Sequence, residues 1–180
     1  MGNLRSVSKA LEAAGAEVVL SRSPAVLGAT NALCVPGQGI FGRCREVLHE
    51  TGVADLVRKW IDGGLPYLGI CLGMQILFET SAERGPIAGL GILAGDVVRL
   101  PGTVTVPHIG WNEVAGEHYY FDHSYAPIPA DPEVVEAWCD HGIRFAALIR
   151  SGSVFATQFH PEKSGRAGIS LLSDWVKAVA

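Results

Sequence analysis

The chain has 180 residues, 48% of them hydrophobic, and a formal net charge of -4. That is enough apolar material for one domain with a sizeable core, expected to span residues 1–180. The absence of a Lys/Arg cluster gives a phosphate backbone no footing, which argues against nucleic acid as a partner; no apolar run approaches the roughly 20 residues of a membrane span, which argues against a membrane. The first residues, Met1 to Ser6, lack the apolar stretch of a signal peptide, so a cytoplasmic protein is expected. Cys34, Cys44, Cys71 and Cys139 show no paired CxxC spacing. Neither a zinc site nor a disulfide framework is indicated, and no metal or cofactor is expected.

Taken in order, Leu4, Val7, Leu11 and Ala14 recur at helical spacing behind Asn3, a suitable N-cap, and Gly15 should end that helix. Glu17 to Ser21 and Ala32 to Val35 are short β-prone runs that read as buried strands, separated by a loop with Pro24 and Gly28. Between Arg45 and Ile61 the apolar positions mark an amphipathic helix interrupted at Gly52 and stopped by Gly63-Gly64. A strand over Leu65 to Ile70 and a helix over Leu72 to Glu79 follow. Such alternation is the pattern of a parallel α/β sheet with helices on both faces.

After Pro86 the pieces become mostly strand: Val97 to Leu100, Val104 to Val106, Tyr119 to Phe121 and Val134 to Trp138. Phe145 to Arg150, a turn at Ser151-Gly152-Ser153, and Val154 to Phe159 read as a hairpin that delivers His160. A last helix over Ala167 to Val179 carries Ile169, Leu172, Trp175 and Val176 at core spacing.

Three stretches carry the chemistry. The first is Gly69-Ile70-Cys71-Leu72-Gly73-Met74-Gln75, which reads as strand, sharp turn, helix. A nucleophile at such a turn projects from the sheet edge, and the flanking glycines remove side chains that would block the bend. The N–H groups of the following helix would favour negative charge on the sulfur. The second is His160-Pro161-Glu162 at a strand end. Proline holds the histidine extended, and extended residues two apart share a side. Glu162 can therefore orient the imidazole and complete a triad with Cys71. The third is Pro36-Gly37-Gln38-Gly39, at the carboxyl edge shared with Cys71. There the Gln38 and Gly39 backbone, with the amide of Leu72, can stabilise an oxyanion.

Together with Gln158-Phe159-His160-Pro161-Glu162-Lys163-Ser164, these motifs closely resemble the class I, triad-type glutamine amidotransferases, in that family's order. Within it, Met1-Gly2-Asn3-Leu4-Arg5-Ser6, Pro107-His108-Ile109-Gly110-Trp111-Asn112 and Tyr120-Phe121-Asp122-His123-Ser124-Tyr125 are similar to the glutaminase subunits of imidazole glycerol phosphate synthase. The resemblance covers nearly the whole chain. It implies a flavodoxin-like, three-layer α/β fold with a mixed, mainly parallel central sheet. It also implies hydrolysis of L-glutamine at Cys71 through a thioester, and delivery of ammonia to a barrel cyclase partner in a heterodimer, in histidine biosynthesis. The positions matching the family's glutamine pocket are Gly39, Gln75, Glu83, Ser124 and Tyr125, and the Gly110-Trp111-Asn112 segment would face the partner. Competing readings are a different triad glutaminase, a binding module on the same fold, and a cysteine peptidase or esterase.

Two departures stand out. Asp122 occupies a position that is usually apolar in the family, placing a charge near the glutamine pocket or the partner surface. The family's first strand, which normally precedes the stretch beginning at Met1-Gly2-Asn3, is expected to be missing, with Met1 an internal methionine or a late start. Loss of a central strand would remove several aliphatic side chains' burial at about 1.5–3 kcal/mol each. On that ground the 180-residue chain is expected to express poorly or precipitate.

Overall fold

Helix α1 (Leu4–Ala13) turns Val7, Ala10 and Leu11 inward. The computed structural model describes residues 4–180, so the expected cap Asn3 and the rest of Met1-Gly2-Asn3 lie outside the described residues. The helix ends as the sequence suggests: Gly15 takes φ 101°, and Ala16 N–H donates back to the Leu11 carbonyl at 3.0 Å, a closure that needs the left-handed conformation glycine adopts freely.

Glu17 to Ser21 is not a strand. No strand among the described residues lies alongside to complete a ladder, and Val19 and Leu20 are 50% and 62% exposed; β-propensity without a partner strand does not make a sheet. After a short α2 (Pro24–Leu27) comes β1 (Leu33–Gly37). The expected interrupted helix is two helices, α3 (Phe41–Glu50) and α4 (Val53–Asp62), broken at Gly52 with φ 73°. Strand β2 (Tyr67–Cys71) leads into α5 (Leu72–Gln75), a single turn rather than the helix expected to reach Glu79. The carbonyls of Ile76, Leu77 and Phe78 accept from the backbone N–H groups of residues 90–93. That pairing draws the chain into β3 (Phe78–Ser81), where tertiary hydrogen bonds override helix propensity.

The second half adds β4 (Ile87–Ala88), β5 (Leu93–Arg99), β6 (His108–Val114), β7 (Glu117–His123) and β8 (Tyr125–Pro129). It continues through β9 (Val135–Asp140), β10 (Arg144–Ser151), β11 (Val154–Thr157) and α6 (Gly165–Val179). The strand expected over Val104 to Val106 is absent: Val104 N–H closes a turn onto the Pro101 carbonyl, and Pro101 and Pro107, which lack N–H donors, bracket the segment.

The main sheet has the order β1-β2-β11-β10-β9. Its β1/β2 and β2/β11 ladders are parallel and its β11/β10 and β10/β9 ladders antiparallel. One face is covered by α1, α6 and parts of β6 and β7, the other by α3, α4 and the sheet β4-β3-β5-β8. Because β1, β2 and β11 run parallel in register, with Gly37 opposite Cys71 and Thr157 opposite Ile70, all three deliver their following residues to one edge. Gln38, Cys71 and Gln158 meet there although they are far apart in sequence.

Candidate active site

Cys71 is forced into an uncommon backbone conformation, φ 54° and ψ -106°, outside the regions an ordinary side chain prefers. The bend is held by three glycines against which backbone packs directly. A methyl group on Gly73 would lie 1.7 Å from the Val35 carbonyl oxygen, one on Gly69 2.6 Å from the Gly73 oxygen, and one on Gly37 2.4 Å from the Leu72 Cβ. Buried Tyr67 adds a hydrogen bond from its hydroxyl to the Gly73 carbonyl, 2.7 Å. Since α5 is one turn long, its contribution at the sulfur comes from the first N–H groups and not from a long aligned helix.

A cavity of about 300 Å³ opens at this edge, lined by Gln38, Gly39, Cys71, Leu72, Gln75, Glu83, Pro107 and Asp122 to Tyr125. Every residue expected to bind substrate or an oxyanion is in this lining. Glu83 sits at the start of α3, its carboxylate accepting from the Phe41 N–H at 2.5 Å. Gln75 Nε2 donates both to the Tyr125 carbonyl and to Gln158 Oε1, each at 2.8 Å. Only its carbonyl oxygen is then left for another partner.

His160 and Glu162 do not line the cavity; their side chains are 1% and 3% exposed. His160 Nδ1 meets Glu162 Oε1 at 2.8 Å. His160 is extended as expected, with φ -100° and ψ 94°, but Glu162 reaches it from a 3-10 turn, Pro161–Lys163, and not from further extended chain. Ser164 anchors that turn: its hydroxyl donates to the His160 carbonyl at 2.6 Å and accepts from Tyr120 N–H at 3.0 Å. Among the described residues, His160 Nε2 and Glu162 Oε2 are buried without a hydrogen bond. Burial by itself would lower the His160 pKa, but the neighbouring Cys71 and Glu162 outweigh it and raise the imidazole to about 9. The other three thiols are pushed up mainly by burial, Cys34 to about 12 and Cys44 and Cys139 to about 11, which leaves them protonated and inert near neutrality.

Asp122 is at the cavity wall, 3.3 Å from Lys163 Nζ, so the charge that departs from the family pattern has a partner. His123, on the same wall, belongs to a histidine group that no sequence motif pointed to. Its Nδ1 faces the Tyr125 carbonyl at 2.9 Å, which can only accept, so Nδ1 carries the proton and Nε2 accepts from His108 Nδ1 at 3.0 Å. His108 in turn stacks on His141, ring centroids 3.9 Å apart. Burial, joined by repulsion from nearby imidazoles, pushes His108 down to about 4 and His123 to about 3, the latter against the opposing effect of the Tyr125 carbonyl.

A strained cysteine on a strand-to-helix bend, a buried histidine paired with a carboxylate, and a pocket of amide and carboxylate groups are the arrangement that the resemblance to class I glutamine amidotransferases leads one to expect. The sequence pattern of the family described as Glutamine amidotransferase class-I matches residues 4–179, and the chain belongs to this family. Its relatives narrow the class. It is 46% identical over 194 residues to the imidazole glycerol phosphate synthase subunit HisH of Geobacillus kaustophilus, covering 98% of this chain and 92% of that one. It is 41% identical over 187 residues to the chloroplastic imidazole glycerol phosphate synthase hisHF of Arabidopsis thaliana, covering 95% of this chain and 32% of the plant protein. A crystal structure of a glutamine amidotransferase superposes with a TM-score of 0.74 at 27% identity, covering 96% of this chain and 95% of that one.

Proposed function

We propose that this chain is the glutaminase subunit of an imidazole glycerol phosphate synthase. It hydrolyses L-glutamine to glutamate and ammonia and passes the ammonia to a (β/α)8-barrel cyclase subunit, in the cytoplasm, for histidine biosynthesis. The observation that carries the reading is the single cavity that gathers the strained Cys71 with Gln38, Gly39, Leu72, Gln75, Glu83, Ser124 and Tyr125. At about 300 Å³ it is at the small end of ligand pockets, a volume suited to a free amino acid.

In this reading the Cys71 sulfur attacks the side-chain amide carbon of glutamine, and the carbonyl oxygen takes negative charge that the Gln38, Gly39 and Leu72 backbone stabilises. His160, raised to about 9, carries a proton near neutrality and gives it to the leaving nitrogen as the C–N bond breaks, releasing ammonia and leaving a thioester. Water, deprotonated by the same imidazole, then hydrolyses the thioester to glutamate and restores the thiol. Glu162 holds Nδ1–H throughout and stabilises the imidazolium.

Cys71→Ala should abolish glutamine hydrolysis with the fold retained, and a glutamine-analogue affinity label should be found on Cys71 by mass spectrometry. Labelling at Cys34, Cys44 or Cys139 instead would overturn the assignment. Hydrolysis by the subunit should rise when a barrel cyclase with its nucleotide ligand docks; equal rates with and without a saturating cyclase would remove the coupling. Glu162→Gln should lower turnover less than His160→Ala, because the amide oxygen still accepts from Nδ1–H.

A further inference from the structure

Gln158 is wholly buried, yet it belongs to neither the pocket lining nor the His160–Glu162 pair. Its side-chain orientation is fixed by a chain of hydrogen bonds that begins at a carbonyl. The Tyr125 carbonyl can only accept, so the group of Gln75 that faces it at 2.8 Å is the amide nitrogen. The second hydrogen of that nitrogen needs an acceptor, so Gln158 must offer Oε1, at 2.8 Å. The remaining end of Gln158 is then its NH2 group, and Nε2 lies 3.5 Å from the Cys71 sulfur. A flip of either amide would set donor against donor or acceptor against acceptor within a dry interior.

We propose that Gln158 is a hydrogen-bond donor to the reacting sulfur, stabilising the Cys71 thiolate and turning the thiol proton away from itself toward His160. The proposal rests on the glutaminase reading for its purpose but not for its geometry. A thiol facing an N–H donor cannot give its own proton in that direction, and the group left to receive it is the buried, otherwise unpartnered Nε2 of His160. Donation to an anionic sulfur is also stronger than donation to a neutral thiol, so the contact favours the form that attacks. As the thioester forms, the sulfur loses its charge and the contact weakens, so the benefit falls on the ionisation of the thiol that precedes attack. The titratable groups acting with Cys71 are His160, with Glu162 beyond it, and the Cys44 thiol of α3. None of them substitutes for a neutral donor held by Gln75.

The test is the pH dependence of Cys71 alkylation by iodoacetamide, followed by mass spectrometry of the Cys71 peptide in the full chain, for wild type and for Gln158→Met. Methionine keeps the bulk and removes the donor. The midpoint should rise by roughly one pH unit, the size expected of one hydrogen bond to a charged group, and kcat for glutamine should fall about tenfold with KM changed far less. If Gln158→Met does not give a cooperative melt, Gln158→Leu makes the same test: it too removes the donor and sets no charge beside the sulfur. A folded variant whose Cys71 profile superimposes on that of wild type would overturn the proposal. Alkylation needs no glutamine, so wild type failing to hydrolyse glutamine would overturn the function and leave this measurement standing.

Discussion

The cavity has two walls of different construction. The wall of β1, β2 and α5 packs main chain closely, with Gly69 and Gly73 where a side chain would collide with a carbonyl and Gly37 where it would meet the Leu72 Cβ. The wall of β7 and β8 is largely polar, with Asp122 held by an ion pair to Lys163, His123 by a hydrogen bond to His108 and the Tyr125 carbonyl by Gln75, all residues distant in sequence. The first has no adjustable atoms, so its geometry is all or nothing. The second is held by contacts that pH, salt or a point substitution can retune singly.

The sharpest way to break this comparison is Gly73→Ala. Its new methyl would lie 1.7 Å from the Val35 carbonyl oxygen, with main chain on both sides and no flexible end to move. A loss of about 4 kcal/mol or more is expected, a large share of a typical stability of about 5–15 kcal/mol. Urea unfolding measures it, and a variant within about 1 kcal/mol of wild type would mean that this wall yields.

Next in size is the acid limb contributed by the histidine wall. His108 and His123 have folded pKa values of about 4 and about 3, below the unfolded value near 6.5. The unfolded chain therefore binds more protons, and stability is fully present above about 6.5 and declines as pH falls toward 4, by up to about 1.4 kcal/mol per pH unit for each histidine. His160 runs the other way: raised to about 9, it stabilises the fold fully below about 6.5, and that stabilisation is lost as pH rises through about 9. Melting temperatures from pH 4 to 10 should show both limbs, with His108→Phe flattening the acid side and His160→Ala the alkaline side. An unchanged acid limb in His108→Phe would remove the histidine group from the account.

A smaller effect tests the strain at the elbow. With φ 54° and ψ -106° at Cys71, Cys71→Gly should be more stable than Cys71→Ala by about 1 kcal/mol, the reverse of the usual order, because glycine adopts that conformation without a Cβ clash. Equal melting temperatures would mean that no strain is stored there. The smallest effect belongs to Asp122. It and Lys163 are 37% and 30% exposed, so Asp122→Ala should cost no more than about 1 kcal/mol, and less in high salt.

The sequence went furthest where function depends on a local run of residues. Gly69 to Gln75 and His160 to Glu162 each contain their own geometric reason: glycines for a bend, proline for a directed histidine. It went wrong where a segment's state depends on a distant partner. Glu17 to Ser21 has strand chemistry but no strand beside it among the described residues, and Ile76 to Glu79 has helical spacing but gives its carbonyls to residues 89–93. The 3-10 turn that joins His160 to Glu162 was likewise out of view, since its anchor is Ser164 against Tyr120.

By itself the sequence determined the family, the bend at Cys71, the order of the motifs and the set of polar residues around the pocket, because each is encoded in contiguous residues with steric or hydrogen-bonding demands of their own. Only the tertiary structure decided that Gln158 faces the sulfur, that His108 stacks on His141 beside His123 and that Asp122 meets Lys163. Those contacts join residues 87, 33 and 41 positions apart, counting Gln158 to Cys71, His108 to His141 and Lys163 to Asp122. A buried polar group takes its orientation from whichever donor or acceptor the fold brings against it.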